Sequence, residues 1–112
     1  MLNALTVDVE DYFQVSALAP WFPRAQWDDT PCRIERNVDL ILRLLDDADA
    51  RATFFTLGWI AERYPHMLRR ICSAGHELAS HGFGHERAHE QSNDAFLADV
   101  RLAKAVLEDI TG

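Results

Sequence analysis

The sequence predicts an α/β domain built on a parallel sheet, and three observations lead to that class. Short segments rich in β-branched and aromatic residues alternate with longer segments whose apolar residues recur at helical spacing. This alternation is the order of βαβ units with right-handed crossovers. Polar residues cluster where the predicted strands end. Ligands of parallel sheets bind at the carboxyl ends of the strands, so these polar residues are the first candidates for function.

Length, composition and charge restrict the class of protein and its partners. A chain of 112 residues with 48% hydrophobic residues suits one globular domain with a core of its own. The net charge of −7 and the pI near 5.0 argue against a nucleic-acid partner, which calls for a basic surface.

The cysteines and the apolar runs bear on the cellular compartment. Cys32 and Cys72 are too few for a disulfide framework and lack the spacing of a metal motif, so buried thiols in a reducing compartment are predicted. Neither a leader nor an apolar run of membrane length is present. We therefore expect a cytoplasmic protein without a membrane span, although a leader missing from the start of the sequence would leave export open.

The first predicted strand lies within residues 2–9, an apolar and β-branched run that suits a buried parallel strand. It ends in acidic residues, so carboxylates are expected at its carboxyl end. Strand side chains alternate between the two faces of a sheet. Asp8 and Glu10 therefore share one face, and Asp11 points the other way unless the strand has already ended.

Residues 12–31 show no regular period and are predicted to form a long aromatic loop or lid. Trp21 and Trp27 stand there among three prolines. Two interpretations are open: the aromatic side chains cap the core, which we favour, or exposed tryptophans stack on a sugar. Under the second interpretation Trp21 and Trp27 are candidate substrate-binding residues.

The middle of the chain continues the alternation of helix and strand. Apolar residues between Ile34 and Leu45 recur at helical spacing, and residues 52–57 form a second β-prone run that stops at Gly58. Residues 59–74 then return to helical spacing. Pro65 is expected to restart that helix at its first turn.

The last third supplies one more strand and one more helix. Gly75 is expected to end the preceding helix, and residues 77–80 form a short third strand. Ser92 or Asn93 can cap the final helix. Four apolar residues are predicted to line its inner side: Phe96, Val100, Leu107 and Ile110.

The clearest chemical signal lies in residues 75–85, where His81 and His85 are separated by a Gly-Phe-Gly bridge. Two glycines oppose a helix, so a loop after a strand is predicted. Neutral imidazoles held this close can bind one divalent cation, although such a pair alone is a weak signal. Asp8 and Glu10 follow another strand of the same sheet. Because the topology brings both strand ends to one edge, a metal site is favoured there.

The remaining histidines and one acid receive lesser roles. His76 falls on the opposite strand face from His81 and is predicted to pack or hydrogen-bond structurally. Glu77 shares the face of His81 and is a candidate to support that ring. His66 and His89 are predicted to face solvent.

Four motifs in this order resemble those of the polysaccharide deacetylases with a NodB-homology domain, carbohydrate esterase family 4. They are Thr-Val-Asp-Val-Glu-Asp at 6–11, Ala-Thr-Phe-Phe at 52–55, Gly-His-Glu-Leu-Ala-Ser-His at 75–81, and the histidine pair. The opening residues and the aromatic insertion are similar to the branch associated with bacterial exopolysaccharide loci. The resemblance implies a distorted (β/α) barrel of seven or eight strands, of which these parallel β/α units form the N-terminal part.

The resemblance also implies a reaction, the removal of N-acetyl groups from an acetylated bacterial polysaccharide. It makes Asp8 the general base and makes His81 and His85 ligands of a divalent metal, most often zinc, with cobalt, nickel and manganese as alternatives. The common family pattern has two adjacent aspartates, and here valine occupies the second place. Glu10 is therefore the implied third ligand, with Asp11 as the alternative.

The family's later motifs are missing from this sequence. An arginine segment that orients the base and a late histidine that acts as general acid have no counterpart before Gly112. We therefore expect residues 1–112 to form a partial domain with little activity alone, whose exposed barrel edge would favour self-association. A catalytically incomplete fragment that keeps only metal or glycan binding is the main alternative. A plain α/β structural module ranks last.

Overall fold

The computed structural model describes residues 3–112 and has the predicted α/β architecture. Its sheet contains three parallel strands, which are β1 (Thr6–Val9), β2 (Thr53–Thr56) and β3 (Glu77–Ser80), in that order across the sheet. In the register, Asp8 lies beside Phe55, which lies beside Ala79. The predicted fold class is therefore confirmed. The start of the predicted first strand, at residue 2, lies outside the described residues.

Four α-helices connect and follow the strands: α1 (Ile34–Asp47), α2 (Gly58–Arg63), α3 (Pro65–Ser73) and α4 (Asn93–Thr111). The local signals act as predicted at three helix ends. Pro65 begins α3, where its missing N–H has no helical partner to lose. Gly75 follows α3 with a φ of 83°, and the Ser92 hydroxyl accepts from Ala95 N at 3.2 Å to cap α4.

One apolar core lies between the sheet and the helices. Phe54 from the central strand is fully buried, as are Leu68 and Ile71 from α3. These positions match the apolar spacing of the sequence, because the same period decides which side chains face the sheet. The core also contains the following residues: Val9, Phe13, Val38, Leu57, Trp59, Ile60 and Met67.

The first strand is less buried than predicted. Val9 has no exposed surface and Val7 is half-buried, whereas Thr6 and Asp8 on the other face are exposed. One face of β1 thus packs on the core and the other lies open. The prediction of a buried strand therefore holds for one face only, and the open face leaves Asp8 accessible at the sheet edge.

Residues 12–31 were predicted to form a loop. They contain three short 3₁₀ helices, Tyr12–Gln14, Ser16–Leu18 and Arg24–Asp29. Trp27 is only 6% exposed and packs edge-on against Phe13 and Trp59. The segment is therefore held by aromatic packing onto the core.

The inner side of α4 was predicted only in part. Leu107 is buried and Ile110 half-buried, but Phe96 and Val100 are 45% and 37% exposed. The contacts of α4 with α2, α3 and β3 bury Ala103 together with Leu107. The first turns of α4 therefore keep an apolar stripe in solvent.

Two further sequence predictions have different outcomes. The cysteines are free, but Cys72 is exposed on the outer side of α3 and Cys32 is half-buried, so neither is the fully buried thiol that was predicted. No helix within residues 3–112 is long and apolar enough to cross a membrane.

Candidate metal centre

Three side chains meet beyond the carboxyl ends of the outer strands. Glu10 follows β1 directly, and His81 and His85 follow β3. Each offers one ligand atom, and these atoms all lie within 4.8 Å of one another. Glu10 Oε2 is 2.9 Å from His85 Nε2 and 3.5 Å from His81 Nε2. Four residues were predicted to lie at this edge of the sheet: Asp8, Glu10, His81 and His85. The structure brings the last three together.

The donor set of this cluster fits a divalent cation. Within the described chain, Glu10 Oε2 and His81 Nε2 are buried and make no well-aligned hydrogen bond. His85 Nδ1 lies 2.7 Å from the Gln14 carbonyl, which can only accept, so Nδ1 carries the proton of the neutral ring. Its Nε2 lone pair then faces Glu10. A divalent cation placed between these atoms would satisfy the lone pairs of Glu10 and His85, and His81 supplies a third ligand atom when its Nε2 is unprotonated.

The electrostatics of the cluster favour an ionised carboxylate. A side-chain hydrogen bond to His81, at the limit of length, lowers the pKa of Glu10, burial opposes this, and the charge of His85 adds to the lowering. The same bond raises the pKa of His81 against the effect of burial, and the charge of Asp8 adds to the rise. Asp8 is therefore close enough to interact electrostatically with the cluster, although it contributes no ligand atom to it.

The loop between the two histidines is tied to the end of β2. The Gly58 amide donates to the Gly82 carbonyl at 2.9 Å, and the Trp59 amide donates to the Phe83 carbonyl at 3.1 Å. At the start of the loop, the His81 amide donates to the Thr56 carbonyl at 3.0 Å. This contact was not predicted from the sequence, although a glycine placed directly after a β-prone run is a signal for close backbone approach.

Gly58 is required by this contact because a Cβ there would lie 2.4 Å from the ring of Phe83. We expect Gly58→Ala to lower the free energy of unfolding by about 1–3 kcal/mol through overpacking, measured by urea titration. Gly84→Ala is the matched control, since a Cβ at that position meets nothing within 4 Å. Equal stability of the two variants would contradict this account of the contact.

The comparison with known proteins decides the family. The family profile described as polysaccharide deacetylase matches residues 25–112. The chain belongs to this family. A curated relative, the peptidoglycan deacetylase of Helicobacter pylori, is 29% identical over 109 residues, which cover 88% of this chain and 36% of the relative.

Solved structures of polysaccharide deacetylases match the fold. A candidate polysaccharide deacetylase from Mycobacterium smegmatis has a TM-score of 0.76 and 30% identity, covering 97% of this chain and 39% of that one. A family 4 pseudoenzyme from Bacillus anthracis has a TM-score of 0.71 at 20% identity, covering 96% and 32%. The chain thus spans less than half of each of these three proteins, and corresponds to the N-terminal part of the deacetylase barrel.

Asp11, the alternative third ligand, does not join the cluster. It is 4% exposed, and its carboxylate accepts from the backbone amides of Tyr12, at 2.8 Å, and Arg33. Its own amide donates to Gln14 Oε1 at 2.7 Å, which completes a capping box. Because β1 ends at Val9, Asp11 turns inward as a cap, and this holds the Gln14 carbonyl against His85.

Glu77, the candidate support for His81, lies at the wrong end of its strand. Its carboxylate accepts from the Thr53 hydroxyl at 2.5 Å, at the amino end of the sheet. Four residues of strand separate the two side chains by about 13 Å, which is too far for a direct contact. Gln14 supports the cluster instead, through its main-chain carbonyl on His85.

The two tryptophans proposed to contact substrate have different surroundings. Trp27 caps the core, and its indole N–H donates to the Phe22 carbonyl at 3.2 Å. Trp21 is 68% exposed. A cavity of about 350 Å³ lies beside His85, and Trp27 contributes to its wall. Of the two, therefore, Trp21 is the exposed side chain, and Trp27 is a core residue at the edge of the cavity.

The other histidines are where the sequence placed them. His76 is buried, its Nδ1 accepts from the Ala52 amide at 3.3 Å, and its ring packs on Phe54. Burial lowers its pKa, which suits a neutral structural ring. His66 and His89 are exposed. The predictions for these three residues are confirmed.

Proposed function

We propose that this protein is a metal-dependent deacetylase that hydrolyses N-acetyl groups of a bacterial polysaccharide. The observation that carries the proposal is the cluster of Glu10, His81 and His85 at a sheet edge with the open carboxylate of Asp8 beside it. Family membership supports the same reaction class. Its peptidoglycan deacetylase relative suggests acetylated amino sugars as the substrate class.

In this proposal Glu10, His81 and His85 hold the cation, with zinc favoured because two imidazoles and one carboxylate suit it. When bound, the cation supplies Lewis acidity, which polarises the amide carbonyl and acidifies water. The Gln14 carbonyl keeps His85 in the tautomer that presents Nε2 to the site.

Asp8 is proposed as the general base. Its carboxylate is exposed at the same edge, outside the group of three ligand atoms, and is therefore free to take a proton from the attacking water. The net reaction adds water across the C–N bond and yields acetate and a free amino sugar. The cavity beside His85, between the 3₁₀ segment and the loop after β3, offers space for neighbouring sugar units.

The test is acetate release from N-acetylglucosamine oligomers by the natural product of the gene, before and after chelation of divalent metals, since residues 1–112 alone are expected to have little activity. We expect release to fall to background on chelation and to return when zinc is added. Metal binding without acetate release would support the second candidate, a non-catalytic binding protein. That candidate draws on the Bacillus anthracis pseudoenzyme, which has the same fold.

A further inference from the structure

An acidic side chain from outside the histidine loop holds the centre of that loop. Asp99 lies on α4, and its Oδ2 accepts from the Phe83 amide at 2.9 Å. Its Oδ1 accepts from the next amide, Gly84, at 3.2 Å. The two oxygens of the Asp99 carboxylate thus accept hydrogen bonds from two consecutive backbone amides that lie between the proposed ligands His81 and His85.

We propose that Asp99 is a positioning residue for the metal centre. By fixing the Phe83–Gly84 backbone it sets the directions from which His81 and His85 approach Glu10. The proposal rests on the proposed metal-dependent function and adds a residue that the family motifs in this chain do not contain.

The loop needs such a contact because its backbone takes left-handed conformations at two positions. Gly82 has a φ of 76°, and His85, a non-glycine residue, has a φ of 58°. A left-handed conformation at a histidine is uncommon and persists only where surrounding contacts impose it. Bonds from amides to a carboxylate are roughly twice as strong as those to a neutral acceptor, so Asp99 suits this task.

The approach of Asp99 to the loop is close. A Cβ at Gly82 would lie 2.9 Å from Asp99 Oδ2, so the glycine is needed to admit the carboxylate. The helix that carries Asp99 is itself anchored, because Ala103, one turn further along α4, is fully buried. The acceptor is therefore fixed in position, while the amides of Gly58 and Trp59 donate to the carbonyls of Gly82 and Phe83.

The experiment is a zinc titration of Asp99→Asn by calorimetry, with the visible absorption spectrum of the cobalt-loaded protein as a second readout. Asparagine keeps the size of the side chain but replaces one acceptor with a donor that opposes an amide. We expect zinc affinity to fall about 10- to 100-fold and the cobalt spectrum to change. Asp109→Asn, on an exposed position of the same helix, is the matched control and should match the wild type.

The outcomes separate this proposal from the proposed function. If the wild type binds zinc and Asp99→Asn binds it equally well with the same cobalt spectrum, the positioning role is overturned. Wild-type protein that binds no zinc would refute the metal centre itself. Circular dichroism of the metal-free variant checks the fold. An Asp99→Asn chain that is unfolded at 5 °C would assign Asp99 to global stability and would also overturn the proposal.

Discussion

We expect zinc at a hundredfold excess over its Kd to raise the melting temperature of the wild-type chain by more than about 10 °C. A ligand that binds only the folded state stabilises it by mass action, by about 2.7 kcal/mol at that excess. The His81→Ala, His85→Ala double variant should show no shift, because two of the three proposed ligand atoms are gone. Thermal unfolding with and without zinc measures both values.

The control for this experiment removes two histidines that lie outside the cluster. His66 and His89 are exposed, so a His66→Ala, His89→Ala variant should keep the full zinc shift. A shift that disappears in this control but persists in the His81→Ala, His85→Ala variant would place zinc binding on the surface. The two imidazole nitrogens of the cluster allow a second test, which compares zinc with magnesium. Magnesium should give little shift, because it prefers an all-oxygen octahedral shell.

The cluster could be predicted from the sequence because it depends on few assumptions. Strand order and the two-residue period were enough to bring Glu10, His81 and His85 to one edge. The choice between Glu10 and Asp11 needed the structure, since it depends on where β1 ends. Asp11 then becomes a cap for an amide 22 residues away, a long-range contact with no local signature.

The incorrect predictions share a physical cause. The spacing of residues along a strand or helix indicates which face a side chain lies on, but not how far it is from a residue elsewhere in the fold. Glu77 was predicted to support His81, but it lies at the far end of the strand and bonds Thr53 instead. No sequence pattern distinguishes Asp99 from the other acidic residues of α4. Among those acids, only Asp99 hydrogen-bonds to the histidine loop in the described structure. The 3₁₀ helices of residues 12–31 are likewise fixed by aromatic packing and by the Asp11 cap, and neither is visible as a period.

Asp8→Asn is expected to separate catalysis from metal binding. The change keeps the size of a side chain that lies outside the ligand group and removes only one nearby negative charge, so zinc affinity should fall far less than in Glu10→Gln. Acetate release should fall by about 10²–10⁴-fold, the usual contribution of a general base. Because the chain spans less than half of its relatives, both the 112-residue chain and the natural product of its gene are assayed with N-acetylglucosamine oligomers.

The contrast with Glu10→Gln makes the result of Asp8→Asn decisive. Glu10 supplies one of the three clustered atoms, so Glu10→Gln should lose zinc affinity and acetate release together. Substitution of a general base that is not a metal ligand should reduce acetate release and leave most of the zinc affinity. If Asp8→Asn released acetate at the wild-type rate, the proton acceptor would be another group. If it instead lost zinc affinity as Glu10→Gln does, Asp8 would belong among the ligands, and its exposed position beside His81 would reflect coordination rather than proton transfer.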